Sequence, residues 1–169
     1  ISQTGVGCVA SVEAYEKNLI KKHEYTKPEK EDDRVNNIIK LNAQTGPVLL
    51  AYKNNNEISK LLNNVKNENP TYNVIAHDNS NHKIWIVEDN RRIREILDEI
   101  NSMDSLFIAD GHHRSAAALR VKKELSKKNP NHIGDENYNY FLAVAFPHSE
   151  MNILDYNRII KGLNGHTTD

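Results

Sequence analysis

The sequence predicts an α/β domain, α+β in its finer arrangement, built as a mixed sheet with flanking helices. Short, almost wholly apolar runs at 48–52, 106–109 and 140–146 alternate with segments whose apolar residues recur at helical spacing. A polar turn, Asn79-Ser80-Asn81, separates two further strand-like stretches. A length of 169 residues suits one hydrophobic core. Residues 1–165 therefore read as a single domain and 166–169 as a disordered tail.

Each element has a local cause. Thr4 to Ser11 sets Val6 and Val9 among small residues and reads as a strand. Ser11-Val12-Glu13-Ala14 has the form of an N-cap followed by helix formers, and Ala14, Leu19 and Ile20 give the short helix an apolar face to residue 20. Pro28 suits the first turn of a second helix capped by Thr26, with Val35, Ile38, Ile39 and Leu41 on one stripe. Gln44-Thr45-Gly46-Pro47 breaks that helix, and Val48 to Tyr52 is a buried strand. Ile58, Leu61, Leu62 and Val65 have helical spacing within residues 57–65. Residues 72–77 and 83–88 form a hairpin, with Trp85 alternating with Ile84 and Ile86 on its second strand.

Residues 91–100 place Ile93, Ile96, Leu97 and Ile100 on one face of a surface helix. Leu106 to Ala109 is a strand, residues 110–114 are a turn, and an alanine-rich helix runs over 115–127. After a polar loop at 129–139, residues 140–146 form the last strand, which Pro147 ends, and a terminal helix is expected over 154–163.

Composition narrows the function. With 22 Lys and Arg against 23 Asp and Glu, the formal net charge of −1 removes the bulk electrostatic argument for nucleic-acid binding. Mean hydropathy is −0.70, and no run approaches the roughly 18 apolar residues of a membrane span. The single cysteine, Cys8, forms no internal disulfide and suits a cytoplasmic protein. No secretory signal is visible, and an opening at Ile1 without an initiator Met reads as a fragment of a longer protein.

The strongest chemical signal is Asp110-Gly111-His112-His113-Arg114-Ser115, because it joins an apolar strand to a helix through polar residues. Gly111 allows close approach to the backbone, the helix start offers unsatisfied N–H groups, and Arg114 adds a planar fork for phosphate oxygens. Beside a phosphate, Asp110 must hold a metal, accept a hydroxyl proton, or pair with Arg114 or a histidine. His112 and His113 orient an oxygen or exchange a proton in this reading, and Asp110 and His112 are the catalytic candidates. The bland alternative is a capped structural turn with surface histidines. Adjacent histidines lack zinc-ligand spacing, so no metal site built on them is expected; Mg²⁺ would arrive with the phosphates of ATP or ADP and be held in part by Asp110. A second group, His23 and Glu24 with Lys30 and Arg34 at i, i+4, is the expected opposite wall of the site, its alternative being a solvated charged helix.

Asp110-Gly111-His112-His113-Arg114, preceded by His23-Glu24-Tyr25-Thr26, Asp33-Arg34 and Gln44-Thr45-Gly46-Pro47, resembles the domain-of-unknown-function 1015 family over most of the chain. The resemblance implies kinship with the ParB/sulfiredoxin-like fold, which includes nucleotide-dependent kinases of free L-serine. The Asp-Gly-His-His-Arg stretch with small residues at 115–118 is similar to the phosphate-binding Gly-x-x-Arg turn of ParB-like nucleotide hydrolases, which implies Arg114 as a phosphate ligand. Those kinases carry an essential acidic residue near the start of the full domain, and the resemblance implies that it lies ahead of Ile1. The expectation is a nucleotide- or phosphate-binding domain of a kinase-like protein that takes a free amino acid such as L-serine. The alternative is a noncatalytic nucleotide-sensing or ligand-binding module.

Overall fold

Five strands form a mixed sheet whose one face is packed by helices, as the computed structural model shows; it describes residues 2–155 and 157–167. The strands are β1 (Val6–Ser11), β2 (Ile20–Lys21), β3 (Val48–Tyr52), β6 (Leu106–Asp110) and β7 (Tyr140–Pro147), in the order β1-β7-β3-β6-β2. The β1–β7 and β3–β6 pairs are antiparallel, whereas β7–β3 and β6–β2 are parallel. A separate two-stranded sheet, β4 (Tyr72–Ile75) with β5 (Asn81–Ile84), is exposed throughout.

Period-2 alternation decides which side of the main sheet is buried. Val48, Leu50 and Tyr52 of β3, Phe141, Ala143 and Ala145 of β7, and Ile108 of β6 face one core with Val12, Tyr15, Ile20 and Ile58. The other face is open to solvent at Val9 (64% exposed), Phe107 (38%) and Leu142 (36%). The helices are α1 (Val12–Glu16), α2 (Pro28–Leu41), α3 (Asn56–Lys66), α4 (Asn90–Asn101) and α5 (His112–Lys128). Asn55 caps α3 by accepting from the N–H groups of Glu57 at 2.8 Å and Ile58 at 3.1 Å. Asp89 caps α4 in the same way.

The small residues Ala116, Ala117 and Ala118 are buried on α5, which lies against β3 and β7. Ala117 and Val121 meet Val35 of α2 in a second apolar cluster. Arg120 reinforces that contact through Glu31 at 3.1 Å and through Asp32. These contacts lay α2 along α5.

Several local expectations are corrected. The first helix stops at Glu16, because Asn18 turns the chain at φ 59° and the next residues pair with β6 as β2. Lys27, not Thr26, occupies the cap position of α2; Thr26 Oγ1 instead donates to Glu31. The hairpin strands are shorter than expected, and Trp85 lies beyond β5 with its Nε1 donating to the Glu68 carbonyl at 3.0 Å. Pro147 is the last residue of β7. α5 begins at His112 rather than Ser115. No helix forms among the described residues of 154–163, where Leu154, Ile159 and Ile160 are exposed and find no surface to bury against. Tyr156, Thr168 and Asp169 lie outside the described residues, so the tail expected at 166–169 is described only to Thr167. No helix among the described residues is long and apolar enough to cross a membrane.

Candidate functional site

The start of α5 is built by Gly111. Its φ of 100° and ψ of 26° lie in the left-handed region, and a Cβ there would sit 3.2 Å from the Cα of Val48 and 3.2 Å from Arg114 Nε. The Gly111 carbonyl accepts from the N–H groups of Arg114 at 2.9 Å and Ser115 at 3.0 Å, which closes the first turn. The N–H groups of His112 and His113 therefore have no intrahelical acceptor. Arg114 folds back over this turn: Nη1 donates to the Pro47 carbonyl and Nη2 to Asp110 Oδ2. Of the partners open to Asp110 from sequence, the one it takes is Arg114.

Both histidines bind backbone. His112 Nε2 accepts the N–H of His23 at 3.5 Å, and His113 Nε2 accepts the N–H of Lys27 at 3.2 Å. An accepting Nε2 leaves Nδ1 of a neutral imidazole as the protonated nitrogen. In His112 that nitrogen lies 3.5 Å from Glu24 Oε2. Burial pushes the His112 pKa down, and the His23 ring, packed edge-on at 4.4 Å, adds to the effect; the Glu24 and Asp110 carboxylates oppose it. The neutral ring is the form the packing favours.

The walls meet in a cleft of about 470 Å³, within the range of small-ligand sites. Asp110, Gly111, His112, His113 and Arg114 line one side; Glu24, Lys30 and Arg34 line the other, as the sequence suggested. Glu29 and Asp33 complete the second wall. Glu29 was missed, although its i, i+4 spacing to Asp33 on the same helix was the available signal. Two expected residues stand behind the cleft. His23 packs on the back of His112, and Ser115 is fully buried with its hydroxyl donating to the His112 carbonyl at 3.0 Å.

The cleft carries one more carboxylate than fixed cations. Asp110 is matched by Arg114, and Asp33 lies 3.6 Å from Arg34. The Lys30 ammonium and the Glu29 carboxylate have no side-chain partner among the described residues. No group of three or more His, Cys, Asp or Glu side chains among the described residues is placed to hold a metal ion.

This arrangement involves the same residues that carry the family resemblance. A family model described as "Protein of unknown function (DUF1015)" matches residues 1–169. The chain belongs to the DUF1015 family. No curated protein and no solved structure matches it. In this DUF1015 chain the Asp-Gly-His-His-Arg stretch is thus a strand end, a left-handed glycine and the first turn of a helix, with its two histidines fastened to the opposite wall.

Proposed function

We propose that the cleft binds the phosphates of a Mg²⁺–nucleotide and that the chain is the phosphate-handling domain of a kinase-like protein related to the ParB/sulfiredoxin-like group. The observation that carries this reading is the open N-terminus of α5 facing the unpartnered Lys30 across one cleft. Backbone N–H groups at a helix start and a free ammonium both suit phosphate oxygens. The excess of carboxylates suits a divalent cation between ligand and protein, and Mg²⁺ bound with phosphates needs only one or two carboxylates, for which the unpartnered Glu29 is available. Bound there, Mg²⁺ would offset the charge of the nucleotide's phosphates.

With an amino-acid hydroxyl such as that of L-serine as acceptor, its oxygen forms the new bond to the γ-phosphorus while the bond to the ADP oxygen breaks. Glu24 is the carboxylate available to take the hydroxyl proton, because Asp110 is held by Arg114. His112 serves as a positioning residue for Glu24 in this scheme, and Asp110 positions Arg114. The prior engagement of Arg114 also favours a second reading, a module that senses a nucleotide without turnover.

Calorimetry with MgATP, followed by assay for phosphoserine after addition of L-serine, tests both readings. Arg114→Ala is expected to weaken MgATP at least tenfold, about 1.4 kcal/mol. Binding without phosphoserine favours the sensor, and absence of MgATP binding removes the nucleotide reading.

A further inference from the structure

The segment from His23 to Lys27 forms a strap beside the cleft. Four of its five residues are fastened. His23 donates its N–H to His112 and Lys27 donates its N–H to His113; Glu24 lies 3.5 Å from His112 Nδ1, and the Thr26 hydroxyl donates to Glu31. The fifth, Tyr25, is 100% exposed and has no hydrogen bond, ring contact or ion pair among the described residues. Tyr15 and Tyr52 are buried in the core, and Tyr72 on the exposed hairpin keeps 57% of its surface free, so full exposure sets Tyr25 apart.

An aromatic ring carries a large apolar surface, and leaving all of it in water forgoes the burial that normally stabilises it. Here the backbone is anchored on both sides of the exposed residue. The strap is held to the first turn of α5, so Tyr25 is tethered within two residues, about 7 Å of extended backbone, of each anchor at the helix start. The backbone that carries the ring is already ordered at that distance from a phosphate site, so a flat partner that stacks there fixes only the two side-chain torsions of one tyrosine.

We propose that Tyr25 is a stacking platform for the nucleobase of a nucleotide whose phosphates occupy the cleft. The inference rests on the nucleotide reading above and deepens it by assigning a base subsite to the strap. Stacking on a π-face tolerates any base, so the subsite selects nucleotides over bare phosphates without selecting one base strongly.

Calorimetry on the full chain separates this inference from the reading it rests on, with MgATP and magnesium tripolyphosphate as paired probes. Tyr25→Ala is expected to weaken MgATP about tenfold and to leave tripolyphosphate affinity unchanged, while Tyr25→Phe retains wild-type affinity for both. Unchanged MgATP affinity in Tyr25→Ala overturns the platform and leaves the phosphate site standing. Equal loss for both probes also overturns it, because the ring would then be supporting the strap. Equal affinity of the wild type for the two probes excludes a base subsite, and failure of both to bind overturns inference and reading together.

Discussion

Gly111→Ala tests how the helix start is made. An L-residue in the left-handed region costs about 1–2 kcal/mol. The new Cβ would also lie 3.2 Å from the Val48 Cα, in a central strand that has little room to move, and 3.3 Å from Arg114 Cζ. Overpacking of this kind costs about 1–3 kcal/mol, giving a combined loss of about 2–5 kcal/mol. Gly134 provides the control: its φ of 102° matches the 100° of Gly111, but a Cβ there meets nothing within 4 Å. Gly134→Ala therefore carries the conformational cost alone, about 1–2 kcal/mol. In urea unfolding with a slope near 2 kcal/mol per M, the midpoint should fall by about 1–2.5 M for Gly111→Ala and by about 0.5–1 M for Gly134→Ala. Equal falls would refute the packing argument, and an unchanged Gly111→Ala midpoint would refute the conformational one as well.

His112 makes stability depend on pH. Its folded pKa lies below the ordinary 6.5, so above that value both folded and unfolded imidazoles are neutral and the contribution is complete. As pH falls from 6.5 toward the folded pKa, the unfolded chain takes up the proton first and stability is lost; His112→Gln should flatten urea midpoints between pH 7 and 5 relative to wild type. Asn55→Ala should cost about 1 kcal/mol through loss of the α3 cap, read as a lower thermal midpoint. If the midpoint does not move, the two capping bonds contribute nothing net.

The parts of the fold that were legible in sequence are those whose cause is local. The run Val48 to Tyr52 carries its own apolar pattern, and β3 has those bounds. β2 was not legible, because two residues display no alternation and its identity as a strand comes only from pairing with Leu106 and Phe107. The terminal segment failed for the opposite reason. The helix expected over 154–163 would carry Leu154, Ile159, Ile160 and Leu163, but a short helix needs a surface to pack on, and all four side chains are exposed. At the cleft, the Asp110–Arg114 pair is an i, i+4 contact and could be anticipated. The two imidazole–backbone bonds link positions 86 and 89 residues apart, so no spacing rule announces that the histidines fasten the opposite wall.

The one-sided cover of the main sheet gives its strands an alternating tolerance of substitution. Along β7, Phe141, Ala143 and Ala145 are enclosed on the helix-covered side, so a change of one methylene there disturbs neighbours on several elements. Leu142, between the first two, stands on the open side and answers mainly to solubility and strand preference. Neighbouring codons therefore carry unequal amounts of structural information, and the rhythm breaks on β6 where its register with β3 shifts opposite Leu49 and Leu50, leaving Ala109 and Asp110 both exposed. That slip lies where β6 runs into Asp110 and Gly111, so the stretch of chain with the least regular pairing is also the one that delivers the helix start to the cleft.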